Sequence, residues 1–482
     1  MFITYALSYS GDEGGGGVHR FRAKQIMLAL FVMLLITSGL QYRSANWQVK
    51  QLDEIEQPEP GQRVLIVAPH CDDESLASGA LVNRLVGQGV RVKIVVMTNG
   101  DGFPRAAKEN YLPKAPTKSD FTNLGYHRQQ ETERALALLG LNSQNIIYLG
   151  YPDAGLYSLW TPRYWNEPYT SQYTKVSQSP YLNSFTSAVS YTGANVVSDL
   201  RQVISEYRPD YVFYPHPNDS HADHWATYCF TKYALTELGM EAKEYLYLVH
   251  RGAWPLVLPL YGKTYLAPPR KLIDRGAEWS VLELTSAEMS LKRRAIGEYK
   301  TQMRVMEFTL LAFCRRNELF ATYPDSQILR SSDPEPNLDE HLLALNPVGD
   351  LPLFKVQVSA DLVSLSGCIT TSDDLQLSLR ARGRISKNMG YTYDMFFYRD
   401  GEEQSRLLVS WQQGKLKATL YQAGQESELK DISIAIDDRT LTAIIPAAYW
   451  SQADRVFLGC VSSQGNVRID NLAWRAYRLP QP

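Results

Sequence analysis

Residues 63–74 read RVLIVAPHCDDE, and this stretch decides the fold of the first large unit of the chain. Arg63 to Ala68 is a short apolar run, which is typical of a fully buried strand. A polar cluster follows at once, and the spacing of apolar residues from Leu76 to Val86 then indicates a helix. Acidic residues at the start of that helix suit the positive end of its dipole. The stretch therefore predicts a strand, a polar turn and a helix.

The same alternation continues along the chain. Further strands are predicted at 90–97, 145–149, 211–214 and 244–249, and helices at 127–139, 195–207, after Asp223 and at 289–302. Strands that alternate with helices indicate an α/β fold, and we expect a Rossmann-like parallel sheet covered on both faces. Ligands bind beyond the carboxyl ends of such strands. Polar clusters follow four predicted strands, and we expect them to converge on one edge: 69–74, 98–101, Asp153 and 216–224.

The pattern changes beyond 331–352, a stretch that mixes proline, acidic residues and short apolar pieces. Further on, apolar residues recur at every second position in short runs between polar turns, for example at 407–411. Such runs without helical spacing predict an antiparallel β-sandwich. We therefore predict an α/β domain at 61–330, a linker at 331–352 and a β-sandwich domain at 353–482, which either binds carbohydrate or braces the first domain.

The N-terminal region contains the one long apolar run of the chain, Ile26 to Leu40. Basic residues precede it, which favours a cytoplasmic N-terminus with the rest of the chain across the membrane. We expect a cytoplasmic leader at 1–24, a signal anchor or transmembrane helix at 25–42 and a linker at 43–60. The expected location is a single-pass membrane protein with its catalytic domain on the non-cytoplasmic side. A cleaved signal peptide is the alternative, because a transmembrane helix needs about 20 apolar residues and this run is shorter.

Composition excludes some classes of partner. The formal net charge is −2, so no basic surface is indicated that would neutralise phosphates, and we expect no nucleic-acid partner. The five cysteines are an odd number without CxxC spacing, which argues against a structural zinc knuckle or a dense disulfide framework. A disulfide between Cys368 and Cys460 stays an open guess.

Two of the polar clusters offer the ligands of a catalytic metal. Zinc binds histidine nitrogen and carboxylate oxygen, and a catalytic zinc keeps one position open for water. His70 and Asp73, three residues apart, can reach one metal, while the segment 216–224 offers the missing imidazole. Asp72 is placed to take a proton from the activated water, and a protonated histidine such as His221 suits the anionic oxygen that forms when a carbonyl is attacked. The pattern predicts a metal-dependent hydrolase.

The two clusters also resemble the motifs of a known family. Residues 69–74, PHCDDE, and 221–224, HADH, are similar to the (A/P)HPDDE and HPDH motifs of the LmbE-like, or PIG-L, zinc-dependent N-acetylglucosaminyl de-N-acetylases. The resemblance covers about residues 63–302. It implies hydrolysis of a linear amide, in which an N-acetyl group is removed from an N-acetylglucosamine-type sugar conjugate.

The resemblance further implies roles for single residues. His70, Asp73 and His224 would bind zinc, with another divalent metal as the alternative. Asp72 would be the general base, and His221 would stabilise the oxyanion.

Three more residues are expected at the substrate. Arg128 and Asp153 match positions that contact substrate in the family. Asp101 follows the second predicted strand and is expected to line the site as well. Without the resemblance, Arg128 and Glu131 would be read as a pair on a helix surface.

Two positions depart from the family pattern. Cys71 replaces the proline of the first motif, and we interpret it as a substitution that points away from the metal, with a thiolate ligand as the alternative. Asp219 stands two residues before His221, where some members have a tyrosine, which puts a tyrosine contribution to catalysis in doubt. Rival interpretations are a membrane-anchored glycan-binding protein with a degenerate hydrolase site, and the same site acting on a different amide.

Nine aromatic residues lie between Tyr157 and Tyr191 in a predicted long loop. Aromatic faces stack on sugar rings, so a loop of this kind at the edge of the site would meet the substrate. Packing of the loop onto its own domain explains most of these residues equally well.

Overall fold

The structure is a computed structural model that describes residues 44–111, 115–256, 261–324, 326–347, 357–465 and 467–480. The description starts with helical residues 44–49, which we label α1. The other α-helices of the described residues are α2 (Asp73–Gly87), α3 (Pro104–Tyr111), α4 (Lys118–Leu138), α5 (Leu156–Trp160), α6 (Pro162–Asn166), α7 (Gly193–Tyr207), α8 (Ala222–Glu237), α9 (Ser286–Ile296) and α10 (Lys300–Leu311).

Eight strands form the sheet of the first unit, in the order β1-β7-β8-β6-β5-β2-β3-β4. Their bounds are β1 (Asp53–Glu54), β2 (Arg63–Ala68), β3 (Arg91–Thr98), β4 (Ile146–Tyr151), β5 (Tyr211–Pro215), β6 (Lys243–Tyr247), β7 (Glu278–Glu283) and β8 (Asn317–Thr322). The strands β6-β5-β2-β3-β4 are parallel neighbours, which confirms the five predicted strands.

The sheet is mixed rather than purely parallel, and the prediction is corrected on this point. β8 runs antiparallel to both β6 and β7. Neither β7 (EWSVLE) nor β8 (NELFAT) has the continuous apolar run of the central strands. The polar residues of β8 are nevertheless buried, because Glu318 and Asn317 make side-chain hydrogen bonds in the interior. Burial of bonded polar groups hides a strand from a search for apolar runs.

One of these polar residues supports the helix that follows β2. α2 breaks at Ser78, where the backbone leaves helical geometry (φ −137°, ψ 19°). The Glu318 carboxylate accepts hydrogen bonds from the N–H groups of Ala80 and Leu81 at 2.8 and 2.9 Å, and Lys292 Nζ lies 2.7 Å from it. The carboxylate satisfies N–H groups that the break frees from the helix ladder. The helix therefore resumes at a buried cap, and its first turn, which begins with Asp73, forms a separate piece.

The second unit is built from two packed sheets. Their orders are β10-β11-β12-β18-β17 and β16-β15-β14-β13-β19-β20-β9. The strand bounds are β9 (Ser326–Gln327), β10 (Leu342–Leu345), β11 (Leu362–Ile369), β12 (Leu375–Ala381), β13 (Gly390–Arg399), β14 (Glu402–Gln412), β15 (Lys415–Gln422), β16 (Gln425–Leu429), β17 (Ser433–Asp437), β18 (Thr440–Ile445), β19 (Arg455–Gln464) and β20 (Val467–Arg478).

Side chains of both sheets share one apolar core, as in a β-sandwich. Pairing within each sheet is antiparallel except between β9 and β20, so additional antiparallel sheets follow the α/β unit as expected. β10 lies inside 331–352, the stretch predicted as a linker, and pairs with β11. Part of that stretch therefore belongs to the second unit.

The two units meet through a buried aromatic cluster. Trp160 packs in edge contacts against Phe230 of α8 and, across the boundary, against Phe457 and Trp474. Phe396, Tyr398, Phe457 and Trp474 belong to the same apolar core as the α/β sheet. This continuous core joins the sandwich to the first unit, and bracing, one of the two roles expected for the sandwich, stays a prediction.

The expected membrane location is contradicted. In the part of the chain that the structure describes, no helix is both long enough and apolar enough to cross a membrane. α4, with 21 residues, has sufficient length but carries lysine, aspartate, arginine and glutamate side chains, each costly in a bilayer. We therefore correct the prediction of a single-pass membrane protein. The segment 25–42 lies outside the described residues.

Candidate functional site

The predicted site residues follow neighbouring parallel strands. His70 lies two residues after β2, Asp153 two residues after β4, and His216 directly after β5. Since these strands are parallel, their carboxyl ends share one edge of the sheet. The structure confirms that the polar clusters converge there, because contacts below 3.5 Å join His70 to Asp153 and to Asp223.

Asp73 stands between the two histidines of the predicted metal site. Its Oδ2 lies 3.2 Å from His70 Nδ1 and 3.1 Å from His224 Nε2. All three side chains are at least nine-tenths buried. Both ring nitrogens of His224 are buried, and each has a carboxylate oxygen beside it, from Asp73 at Nε2 and from Asp219 at Nδ1. Ring nitrogens and a carboxylate oxygen this close together are a donor set that suits a shared cation.

Each histidine of this group has another carboxylate at its second ring nitrogen. His70 Nε2 lies 3.3 Å from Asp153 Oδ1 and 3.4 Å from Asp223 Oδ2, and His224 Nδ1 lies 3.2 Å from Asp219 Oδ2. Metal-binding histidines usually have such a partner, which fixes the ring and its tautomer. The residues present therefore fit a metal held by His70, Asp73 and His224.

Three groups of possible ligands among the described residues overlap with this triad without repeating it. They are His70, His221 and His224; Asp73, His224 and His250; and His70, Asp153 and Asp223, and in each group the ligand atoms lie within 4.8 Å of one another. The chemistry of the site thus belongs to a cluster of histidines and carboxylates.

Asp72 is held in place by Arg128. The backbone at Asp72 has a positive φ of 137°, which a side chain rarely adopts. Arg128 Nη2 lies 3.1 Å from Asp72 Oδ2 and donates to the Cys71 carbonyl at 2.5 Å, while Nη1 donates to the Gly100 carbonyl at 2.9 Å. A Cβ at position 100 would collide with the guanidinium, so glycine is required there. Arg128 fixes the loop and the carboxylate together.

The charges of the site depend on burial and on these neighbours. Burial raises the pKa of Asp72 to about 7, with Arg128 opposing the rise and Asp73 adding to it. Burial alone would lower the pKa of His224, but the Asp73 and Asp219 carboxylates outweigh it and raise that pKa to about 9. Burial, with His70 and His224 nearby, lowers the pKa of His221 to about 4. The pKa values of Asp72, His224 and His221 are thus shifted in different directions although the three side chains lie in one site.

The tautomer of His221 follows from its position at the start of α8. Its Nδ1 accepts a hydrogen bond from the Asp223 N–H at 3.3 Å. A neutral imidazole that accepts at Nδ1 has its proton on Nε2. A pKa of about 4 favours the neutral ring, with one N–H donor, over the protonated form, and the role of His221 stays a prediction.

A cavity of about 700 Å³ opens beside the cluster. Its polar side includes His70, Asp72, Asp73, Arg128, Asp153 and His221. Asp153 also accepts a hydrogen bond from the Gly102 N–H at 2.7 Å. Apart from Asp101 and His224, every predicted site residue is thus exposed to one space in the described structure.

Asp101 lies behind the wall of the cavity. It is 1% exposed and accepts a hydrogen bond from the Tyr181 hydroxyl at 2.6 Å. Tyr181 belongs to the aromatic loop, whose Tyr191 and Trp160 are buried as well. Of the nine aromatics of this loop, only Tyr173 lines the cavity of the described residues. The loop therefore packs on its own domain and, through Trp160, on the second unit, and Asp101 anchors it.

Cys71 points into the core. Its thiol is fully buried among apolar residues, and burial raises its pKa to about 12. No possible ligand group among the described residues includes it. All five cysteines are buried free thiols, so Cys368 and Cys460 are not joined.

Sequence reasoning missed His250. This residue lines the cavity, and its ring lies 4.6 Å from that of His224 between centroids. The signal was its place directly after the strand predicted at 244–249. His216, by contrast, stacks on Trp279 at 5.3 Å, and burial lowers its pKa to about 3. It does not line the cavity of the described residues.

Comparisons with known proteins find relatives of the first unit. The family model described as PIG-L, GlcNAc-PI de-N-acetylase, matches residues 65–235. Over 181 residues the chain is 32% identical to a 1D-myo-inositol 2-acetamido-2-deoxy-alpha-D-glucopyranoside deacetylase of Kribbella flavida, covering 35% of this chain and 54% of that one. A protein of the same description from a Nocardioides species is 28% identical over 173 residues, covering 35% and 53%. The chain spans about half the length of the curated relatives it matches.

Solved structures resemble the chain more distantly. The zinc-inhibited form of the teicoplanin deacetylase Orf2 is 18% identical with a TM-score of 0.36, covering 54% of this chain and 97% of that one. The N,N'-diacetylchitobiose deacetylase of Pyrococcus horikoshii is 20% identical with a TM-score of 0.34, covering 54% and 84%. Scores this low carry no argument about activity. The family match spans β2 to α8, with both motifs, and residues 65–235 of this chain form a PIG-L family domain.

Proposed function

We propose that this chain is a metal-dependent hydrolase that removes the acetyl group from an N-acetylglucosamine-type sugar conjugate. The observation that carries the proposal is the position of Asp73, whose one oxygen lies within 3.2 Å of ring nitrogens of both His70 and His224. This arrangement stands at the wall of a ligand-sized cavity. A metal-dependent amidohydrolase needs a cation site, a base and an oxyanion donor together. The histidine and carboxylate side chains of this cluster suit each of the three roles.

His70, Asp73 and His224 would hold the metal, for which zinc is the best match to two nitrogens and one carboxylate oxygen. Such an ion, when bound, supplies a Lewis acid for the amide carbonyl and lowers the pKa of water. The carboxylates of Asp153, Asp223 and Asp219 keep the two imidazoles oriented.

Asp72 would accept the proton of the attacking water. Its carboxylate lines the cavity beside Asp73, and the contact with Arg128 keeps it from turning away. A base must lie within hydrogen-bond reach of the proton that it removes, and a rigid carboxylate at the wall meets that demand. Arg128 would thus act mainly through Asp72, although it also borders the cavity.

His221 would donate a hydrogen bond to the carbonyl oxygen as that oxygen becomes negative. Its Nε2 carries the ring proton, because Nδ1 accepts a hydrogen bond from the backbone N–H of Asp223. The hydrogen bond from a fixed N–H donor is stronger to an anionic oxygen than to a neutral carbonyl oxygen. It therefore stabilises the transition state more than the substrate.

The identity of the sugar is proposed from the descriptions of the two curated relatives. Both curated relatives are described as deacetylases of a 2-acetamido-2-deoxy-glucopyranoside of myo-inositol. Asp153 and Arg128, at the polar side of the cavity, would meet the sugar hydroxyls and the amide.

The test is metal content and acetate release measured on the same purified protein with N-acetylglucosamine conjugates. The proposal expects about one metal ion per chain and acetate release that a chelator abolishes and zinc restores. Release of another acid from other amides, with none from N-acetylated sugars, would replace the substrate while keeping the site. Sugar binding without any acid release would favour a glycan-binding protein.

A further inference from the structure

One side of the cavity is apolar. Six side chains form what we call the apolar wall: Leu76, Phe103, Trp254, Met306, Leu310 and Phe313. None of the six has a charge, and the one polar atom among them is the indole Nε1 of Trp254. That nitrogen already donates to the Ala267 carbonyl at 2.9 Å. The wall therefore offers a ligand apolar contact only.

Most of the apolar wall comes from outside the family match. Residues 65–235 contribute Leu76 and Phe103, whereas the other four lie between 254 and 313. Met306 stands at a break of α10, where the backbone leaves helical geometry (φ −148°, ψ 32°). Leu310 and Phe313 are almost fully buried and give the wall a firm base. Most of the wall thus lies outside the segment that the family model matches.

The size of the cavity leaves room for a group on this wall. A volume of about 700 Å³ falls within the range of pockets for drug-sized ligands, which exceed a single monosaccharide. The polar groups that would bind the amide and the sugar belong to other residues of the cavity lining, such as Asp72, Asp153 and His221. A sugar alone would leave the apolar wall in contact with water, which costs free energy in proportion to its area.

We propose that the substrate carries a hydrocarbon group of several carbons on the amide-bearing sugar, and that this group packs against the apolar wall. The inference rests on the proposed function and deepens it. A hydrocarbon on the sugar's aglycone and a long acyl chain on its amide share this chemistry, and the experiment separates the two sources.

Five compounds test the inference on the whole protein: methyl and hexyl N-acetylglucosaminide, methyl N-hexanoylglucosaminide, and methyl and hexyl glucosaminide without an acyl group. Burial of a methylene is worth roughly fourfold in binding, so one hexyl or hexanoyl compound should exceed methyl N-acetylglucosaminide at least about 30-fold in kcat/KM. A larger value for the hexyl glycoside assigns the wall to the aglycone. A larger value for the hexanoyl amide assigns it to the acyl chain.

Variants of the apolar wall test whether its side chains cause the preference for the hexyl or hexanoyl compound. Met306→Gln and Phe103→Ala change half-buried side chains of the apolar wall, and each should reduce the preference for the longer compound several-fold. Phe308→Ala is the matched control, because Phe308 is 65% exposed on the same helix and does not line the cavity. It should keep the preference.

Calorimetry with methyl and hexyl glucosaminide reports on the wall without turnover. Equal affinity of these two, together with equal kcat/KM of the three amides, overturns the inference while leaving the proposed function intact. Tighter binding of the hexyl compound supports the inference even if no acetate is released, and only the proposed function would then fall.

Discussion

The Asp219 carboxylate lies 3.2 Å from Nδ1 of His224, the ring nitrogen opposite the one beside Asp73. The same side chain accepts hydrogen bonds from the N–H groups of Val249, His250 and His221 at 2.9 to 3.0 Å. It therefore ties the segment after β5 to the end of β6 and holds a proposed metal ligand. The aspartate that departs from the family pattern has a structural role of its own.

Asp219→Asn should weaken metal binding without unfolding the chain. An amide cannot supply the charge that orients and polarises His224, and loss of such a partner typically costs 10-fold to 100-fold in metal affinity. Competition with a chelator of known affinity measures the effect. Asp339→Asn, which changes an exposed aspartate in the second unit, is the control. Unchanged affinity in Asp219→Asn would show that Asp219 only supports the loop.

Asp72→Asn and Asp73→Ala should separate the two adjacent aspartates. Asp72→Asn should keep its metal while turnover falls about 100-fold to 10,000-fold, the usual cost of losing a general base. Asp73→Ala should lose the metal, because its oxygen is the contact shared by His70 and His224. Metal stoichiometry and acetate release are measured on the same samples. If Asp72→Asn loses its metal as fully as Asp73→Ala does, the two roles are reversed.

Arg128→Lys should lower kcat more than it raises KM. A lysine cannot contact Asp72 and both the Cys71 and Gly100 carbonyls, because it lacks the planar fork of the guanidinium. We expect kcat to fall about tenfold or more while the metal stays bound. Steady-state kinetics with a soluble N-acetylglucosaminide give both constants. Arg134→Lys, at a more exposed position of α4, should change neither. A rise in KM alone would restore Arg128 as a pure substrate contact.

Arg406→Met should destabilise the whole chain. Arg406 makes a two-bond contact with Asp394 at 2.9 and 2.6 Å and donates to the Trp160 carbonyl of the first unit at 3.2 Å. Removing one partner of a buried ion pair costs about 3–5 kcal/mol. Denaturant unfolding followed by two probes, one in each unit, measures the loss. The double variant Arg406→Met/Asp394→Leu should recover part of it, and an unchanged stability of Arg406→Met would contradict the bracing role.

Glu237→Gln should stabilise the protein at pH 8, and much less at pH 5. Burial raises the pKa of Glu237 to about 7, with Arg201 opposing the rise and the Glu403 and Glu402 carboxylates adding to it. A raised carboxyl pKa means that the folded state favours the protonated form of Glu237. The contribution of this group to the stability of the fold is therefore fully present below pH 4.5 and is lost as the pH rises through 7.

At pH 8 the charged carboxylate costs the folded state on the order of 1 kcal/mol after solvent screening. Glutamine removes that cost. Thermal unfolding at pH 5 and pH 8 compares the variant with the natural chain, and an equal shift in melting temperature at both values would exclude titration of Glu237 as the cause.

The central strands were predictable because their signal is local. The run RVLIVA is buried on both faces of the sheet, and its apolar residues are adjacent in sequence, so a short window identifies it. The antiparallel β8 was not predicted, because its polar Asn317 and Glu318 are satisfied by partners far along the chain. No window of sequence contains those partners.

The residue types of the site can be read from the chain alone: a histidine and two aspartates after one strand, and the histidines that follow another. The direction of parallel strands then predicts that they meet at one edge of the sheet. The differences between residues of the same type arise only in the folded protein. Asp101 is covered by Tyr181, Asp72 is held by Arg128, and His250 reaches the site from the segment after β6. These differences could not be predicted because burial, hydrogen bonding and charge depend on neighbours in space, whereas a motif records only neighbours along the chain.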